Sequence, residues 1–556
     1  MTRHLLAIER LRQQGKFLGY LVSSTAPINV EDQLEVTVEK SPDDLILEIA
    51  EYLKKQEGRA EILVLIHGYN SDKSGAEWWY NSACEYIAQN FDQQVSDGFV
   101  VIGFRWPSEK VLQISGGGIG ANLKNVQQFL SDSLKSFQAL PKPLAIAGKA
   151  GLVIAVLSTL LYILTTILKI ISSIVLSVVS SIFFNVALII LTFILTVFVL
   201  RISGYFRDTY RAATYGVSDL VEFIRQLDNQ LVERSPSENR QQNEEFWEKP
   251  ENNDRRIRLH FIGHSMGAYV VTNTVRILSD VFDRSSIGKL DVENRKKLPS
   301  SNIGNVFRLG RLVLVAPDIP AEAVITGRGN PLRSSLRRFD EAYLFSNEGD
   351  MVLKLASTAA NSFSFPASTR DGGYRLGNVV VRSQSSGIIN LDEQGQFISL
   401  PGKAFLERLS IRDGLPLSIR QQDIGLEDDR FIAELFTYFD CTDYQENGKG
   451  IVSKALGKPF LSFWDYFRLS TSNIDGHGGY LFHGDADLTR RLIYGLSCIG
   501  FENLLKTIDS TESDKIKLLQ AFSDKCKTKG IQVLLASERY QVDVLGNRRG
   551  RDRTGY

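Results

Sequence analysis

Along the chain, short unbroken apolar runs alternate with longer stretches in which apolar residues return every three or four positions. Glu61–Ile66, Phe99–Phe104, Ile257–Ile262, Leu312–Ala316, Ala342–Phe345 and Leu435–Cys441 are the unbroken runs. They are too short for helices and apolar on both faces, the pattern of strands buried in a parallel sheet. The helical spacing appears at Leu45, Ile49 and Leu53, at Val217, Leu220, Phe223 and Leu227, at Val271, Val275 and Leu278, and through residues 484–536. Ser41-Pro42-Asp43-Asp44 supplies a helix start, with a capping serine, a proline in the first turn and acids at the positive end of the dipole. At the N-terminus a basic amphipathic segment precedes two strands, Phe17–Val22 and Gln33–Val38. Strands alternating with helices predict an α/β fold, a mostly parallel sheet with helices on both faces.

Three stretches leave this pattern. Across residues 151–200 the only charge is Lys169 and the only amide Asn185. A membrane crossing takes about 20 residues, so the stretch predicts an inserted transmembrane helical hairpin, with spans near 150–172 and 178–200 and a turn among Ser172, Ser173, Ser177, Ser180 and Ser181. Lys135, Lys142 and Lys149 before it and Arg201, Arg207 and Arg211 after it put both ends, and the body, in the cytoplasm by the positive-inside bias. Residues 229–255 are almost wholly polar and read as a loop. Residues 365–430 have poor periodicity, Gly and Ser clusters and one hairpin pattern, and suggest no chemistry. The division that follows is 1–143 for the N-terminal half of the α/β domain, 144–202 for the hairpin, 203–500 for the C-terminal half with polar loop 229–255, and 501–556 for a helical extension ending in the basic tail of Arg548, Arg549, Arg551 and Arg553.

Charge adds little to this picture and excludes one class. With 64 basic and 64 acidic residues among 556, the chain has no excess to line a nucleic-acid groove. Cys84, Cys441, Cys498 and Cys526 are scattered without C-x-x-C spacing, which predicts a reducing compartment and no structural metal. Nothing calls for a cofactor.

The candidate chemistry gathers where the run Ile257–Ile262 empties into Gly263-His264-Ser265-Met266-Gly267. A bare G-x-S-x-G is often just a glycine-flanked serine in a turn. Between a buried strand and a helix, however, the tight turn projects the Ser265 hydroxyl above the sheet, over the positive end of the helix. Such a serine needs a base and a carboxylate that orients the base. Of six histidines, His67 and His264 belong to turns, His260 lies within a strand and His4 near the start. His477, in the glycine-rich loop Asp475-Gly476-His477-Gly478-Gly479-Tyr480, is preferred over His483, which reads as structural. Asp350 and Asp318 each close a strand after the serine. Asp350 has the reach, and Asp318 remains the alternative acid, with a second reading as the cap of the next helix. Asp440 and Asp443 are outsiders. An oxyanion would take the amide of Met266 and one from the turn after the first buried strand, at Tyr69.

Leu63-Val64-Leu65-Ile66-His67-Gly68-Tyr69-Asn70, Phe104-Arg105-Trp106-Pro107-Ser108, Gly263-His264-Ser265-Met266-Gly267, Ala316-Pro317-Asp318 and Gly476-His477, in this order, resemble the α/β-hydrolase superfamily. More narrowly they are similar to a poorly characterised bacterial branch of serine-esterase and lipase-like proteins sharing the His-Gly-Tyr-Asn and Trp-Pro-Ser turns. The resemblance implies acyl-ester hydrolysis, with Ser265, His477 and Asp350 as triad and Met266 and Tyr69 as oxyanion donors. The expected protein is a membrane-anchored serine hydrolase acting on an acyl ester, including a lipid presented by the bilayer, without nucleic acid, metal or cofactor and with self-association left open. Its rivals are a catalytically silent hydrolase fold serving as a membrane scaffold or sensor, and a peptidase or thioesterase using the same triad.

Overall fold

The computed structural model describes residues 5–12, 15–26, 41–56, 60–109, 204–233, 239–282, 301–320, 323, 332–354, 375–380, 386–392, 394–395, 436–454, 456–458, 461–470, 472–508 and 512–536. The strands are β1 (Leu6–Arg10), β2 (Leu18–Ser24), β3 (Ala60–Ile66), β4 (Gly98–Arg105), β5 (Ile257–His264), β6 (Phe307–Val315), β7 (Glu341–Ser346), β8 (Thr437–Asp440) and β9 (Gln532–Leu534). They lie side by side in the order β1-β2-β4-β3-β5-β6-β7-β8-β9. Two-residue strands at Asn302–Ile303 and Gly387–Ile388 extend the sheet. Neighbours from β2 to β8 run parallel, while β1 on β2 and β9 on β8 are antiparallel.

The unbroken apolar runs form the centre of this sheet because both of its faces are covered. On β3, Ile62, Val64 and Ile66 point into one core and Leu63 and Leu65 into the other. The first core takes α1 (Pro42–Lys54), α3 (Val217–Glu233) and α5 (Met266–Phe282). The second takes α2 (Lys73–Phe91), α6 (Asp487–Cys498), α7 (Gly500–Lys506) and α8 (Lys515–Thr528). Pro42 opens α1, and α2 is capped by Asp72, whose carboxylate accepts from the Gly75 amide at 2.8 Å. Each fully buried Leu, Ile or Val contributes roughly 1.5–3 kcal/mol, so the two faces together set the sheet's register. In that register Ile66 of β3 lies opposite Phe104 of β4 and Gly263 of β5. The turns after these three strands therefore leave the sheet at one edge, at its carboxyl end.

The expectation of a two-span membrane protein is corrected. Among the described residues no helix is long and apolar enough to cross a membrane. The long described helices, α2, α3 and α5, carry Lys73, Glu77 and Glu85, then Asp219, Glu222, Arg225 and Asp228, and Arg276, and turn their apolar sides to the sheet. The spans expected at 150–172 and 178–200 lie outside the described residues, as does the strand expected at Gln33–Val38.

Other differences are local. The basic N-terminal segment contains β1, paired along its length with β2. The polar stretch 229–255 is not one loop: α3 runs on to Glu233, and α4 (Arg240–Glu248) and a 3-10 turn, Pro250–Arg255, follow. The helical pattern of 484–536 gives way at its end to β9.

Candidate active site

Ser265 stands at φ +54°, a left-handed conformation that costs a non-glycine residue energy and persists only where the surroundings impose it. The imposing contacts are visible. The Ser265 amide donates to the Val315 carbonyl at 2.9 Å, and its own carbonyl accepts from the amides of Ala268 and Asp318 at 3.1 and 3.0 Å. A Cβ on Gly263 would come 2.6 Å from the Ala268 Cα, and one on Gly267 would come 2.3 Å from the Ile66 carbonyl oxygen. Both glycines of the motif are thus required by backbone meeting backbone. The side chain is lodged at the first turn of α5, where the N–H groups of residues such as Met266 lack intrahelical partners.

Against this elbow lies the turn that follows β3. A Cβ on Gly68 would sit 2.7 Å from the Ser265 Cβ and 2.9 Å from the His264 Nδ1, so glycine alone lets the two turns touch. Tyr69 comes next, half-buried, its ring 6.0 Å from that of Tyr205, and Asn70 follows in the left-handed region at φ +61°. His67 is buried and stacks on Trp106 with centroids 5.1 Å apart. Its Nδ1–H donates to the Gly68 carbonyl at 2.8 Å. Burial pushes its pKa down to about 3, so it is a neutral part of the frame.

Opposite, the His477 Nδ1–H donates to Asp350 Oδ2 at 2.7 Å, with the carboxylate wholly buried and the imidazole 13% exposed. Burial lowers the pKa of this imidazole, but the charge and hydrogen bond of Asp350, helped by Asp475 and Asp318, raise it further, and the net shift is upward from 6.5. The other Asp350 oxygen accepts from the Leu353 amide at 3.0 Å. The loop itself is pinned at two successive carbonyls: Asn347 Nδ2 donates to Gly476 at 2.9 Å, and His264 Nε2–H donates to His477 at 3.1 Å. Burial, then the neighbouring His477, holds His264 down to about 3 and therefore neutral. An imidazole with Nδ1–H fixed on a carboxylate presents Nε2 as a proton acceptor. Ser265 is 1% exposed, and its buried hydroxyl makes no hydrogen bond among the described residues.

Residues 214–383 match the family described as "Alpha/beta hydrolase of unknown function (DUF900)". Over those residues the match supports the α/β-hydrolase superfamily. The matched span includes Ser265, Asp318 and Asp350 and ends before His477. No curated protein and no solved structure matches the chain.

Ser265, Met266, Tyr69, His477 and Asp350 come to one end of the sheet, and Asp318 lies beside them with its carboxylate turned to other partners. Its carboxylate takes Arg375 Nε at 3.0 Å and the Tyr205 hydroxyl at 3.3 Å, while its amide supports the Ser265 carbonyl. His260 is buried midway along β5, accepting from the Arg311 amide, and His483 accepts from the Asp485 amide. Asp440 is bound to Thr442 and Asp443 to the Gly457 amide. His4 lies outside the described residues. Sequence reasoning left His264 and Asn347 without a role. Their positions, beside the serine and directly after β7, are the only signal they carry.

Proposed function

We propose that this α/β hydrolase is a serine hydrolase that cleaves acyl esters through an acyl-enzyme. The supporting observation is the 2.7 Å pair of His477 Nδ1 and Asp350, brought over the elbow by the bond from His264, the neighbour of Ser265. In this reading Ser265 attacks the acyl carbonyl, His477 takes its proton at Nε2 and returns it to the departing alcohol, and Asp350 stabilises the imidazolium. The amides of Met266 and Tyr69 receive the charge on the tetrahedral oxygen. Water then repeats the sequence on the acyl-enzyme. The expectation of a lipid substrate comes from a membrane anchor, which no described helix supplies; the acyl ester rests on the elbow alone.

A second reading, a catalytically silent hydrolase fold serving as a scaffold, draws support from the Ser265 hydroxyl, which has no hydrogen-bond partner among the described residues. Hydrogen bonds between nucleophile and base are often long without substrate. A panel of p-nitrophenyl esters, acyl thioesters and peptides separates the two. Ester turnover by the wild type that vanishes in Ser265→Ala is the expected outcome; no turnover of any member by the folded wild type would favour the scaffold, and preference for thioesters or peptides would move the bond.

A further inference from the structure

The Trp-Pro-Ser turn after β4 has no part in the chemistry above, yet it is tied to the turn after β3 at both ends. On one side the Trp106 Nε1–H donates to the His67 carbonyl at 2.9 Å. On the other, Ser108 Oγ accepts from the Ser71 amide at 3.2 Å and donates to Asp208 Oδ2 at 2.8 Å, and the same carboxylate oxygen accepts from the Asn70 amide at 3.4 Å. Asp208 has no exposed surface, and its second oxygen is held by Arg207 Nε at 2.8 Å, with Arg211 Nη1 at 3.6 Å. Arg207 in turn donates to the Glu109 carbonyl at 2.9 Å, closing the ring back on the Trp-Pro-Ser turn. Asp208 belongs to the helical stretch 204–211, directly before a π-helical turn, Ala212–Gly216. There a Cβ on Gly216 would come 3.0 Å from the Trp106 Cβ.

We propose that Ser108 and Asp208 are positioning residues for the oxyanion: they clasp the amides of Asn70 and Ser71 and so aim the preceding Tyr69 amide at the oxygen that becomes negative when Ser265 Oγ attacks the acyl carbon. The proposal rests on the serine-hydrolase reading. The clasp fixes a turn whose shape asparagine accepts: Asn70 sits at φ +61°, in the left-handed region that asparagine tolerates, and its amide is held on Asp208. An amide that has to meet a developing oxyanion within hydrogen-bond distance gains little from a turn that drifts, since a misplacement of about 1 Å costs on the order of 100-fold in rate. Trp106 fixes the start of the turn and the Ser108–Asp208 pair fixes its end, leaving Tyr69 between two anchors. This also explains why the two motifs occur together in one chain: each is half of one hydrogen-bonded unit.

The test uses the full chain carrying Ser108→Ala, Asp208→Asn or Ser108→Thr, assayed on the best p-nitrophenyl ester beside hydrogen exchange in the peptide spanning residues 67–71. The expected result is a kcat lower by about 10- to 100-fold with KM within about twofold, matching weaker binding of a trifluoromethyl ketone that forms a tetrahedral adduct, faster exchange at residues 69–71, and recovery in Ser108→Thr. A folded Ser108→Ala with wild-type kcat would overturn the proposal. If Ser108→Ala does not fold, Asp208→Asn is read in its place. If the wild type hydrolyses nothing, the hydrolase reading fails by itself. Exchange then decides the clasp separately: unchanged protection at 69–71 in the variants overturns it, and lost protection supports it as a brace of the turn.

Discussion

At His477 two opposing effects meet, burial that disfavours the imidazolium and the Asp350 carboxylate that favours it, and the carboxylate wins. A base with a raised pKa works only when neutral, so activity should fall as pH drops through a midpoint above 6.5, the ordinary value for histidine. For stability the sign is opposite: the pair's contribution is full below 6.5 and fades as pH rises through the raised value. Asp350→Asn removes the largest favourable cause and also unfixes the tautomer. It should lower kcat/KM by about 10⁴-fold and move the residual acid limb to lower pH in a pH–rate profile. A limb left in place would show that Asp350 does not govern His477. Ser265, Asp350 and His477 could be picked out as candidates in the sequence because each closes an apolar run or sits in a glycine-rich loop. His264, Asn347, Ser108 and Asp208 could not, since their task is to bond backbone carbonyls and amides whose proximity only the folded chain creates.

At the level of elements, the junction of β5 and α5 is where geometry is tightest. Replacing a helical glycine by alanine ordinarily stabilises by about 0.8–1 kcal/mol, but at Gly267 the added Cβ would press on the Ile66 and His67 carbonyls at 2.3 and 2.5 Å. Backbone on both sides cannot yield, and overpacking of this kind costs about 1–3 kcal/mol. Gly267→Ala should therefore lower the urea midpoint, and a midpoint at or above wild type would mean that α5 can move off β3. The apolar runs disclosed β3 to β8 because strands buried on both faces need no alternation. β1 and β9 were hidden for the reverse reason. β1 buries Leu6, Ala7 and Ile8 and exposes Glu9 and Arg10, a mix that looks amphipathic rather than extended. β9 is three residues long and follows directly on helical spacing. Residues 229–255 misled through composition, since α4 buries Asn243 and almost nothing apolar.

Across the whole molecule the polar groups divide by end. The carboxyl ends of the strands hold the site, and away from them Glu61 pairs with Arg258 and Arg311 beside His260, whose pKa burial lowers to about 4. Burial raises the Glu61 carboxyl, but Arg311, His260 and Arg258 together pull it down to about 2. Its stabilisation is complete above the usual glutamate value of 4.5 and is lost as pH falls through about 2. The far edge depends on β9, whose Val533 and Leu534 lie in the two cores and whose backbone pairs with Phe439 and Tyr438 of β8. A chain ending at Gly530 loses the buried Ile531, Val533, Leu534 and Leu535, at roughly 1.5–3 kcal/mol each, and bares the β8 edge, against a total stability of about 5–15 kcal/mol. It should melt lower than the full chain or accumulate as aggregate; equal melting and solubility would mean that the sheet ends functionally at β8.

The most direct test of a nucleophile at the elbow is covalent. The folded full chain is treated with a fluorophosphonate, and the modified peptide is located by mass spectrometry in wild type, Ser265→Ala and His477→Ala. A single adduct on Ser265, absent from Ser265→Ala and formed far more slowly in His477→Ala, is the predicted result. An adduct on another residue, or none on the folded wild type, would contradict it.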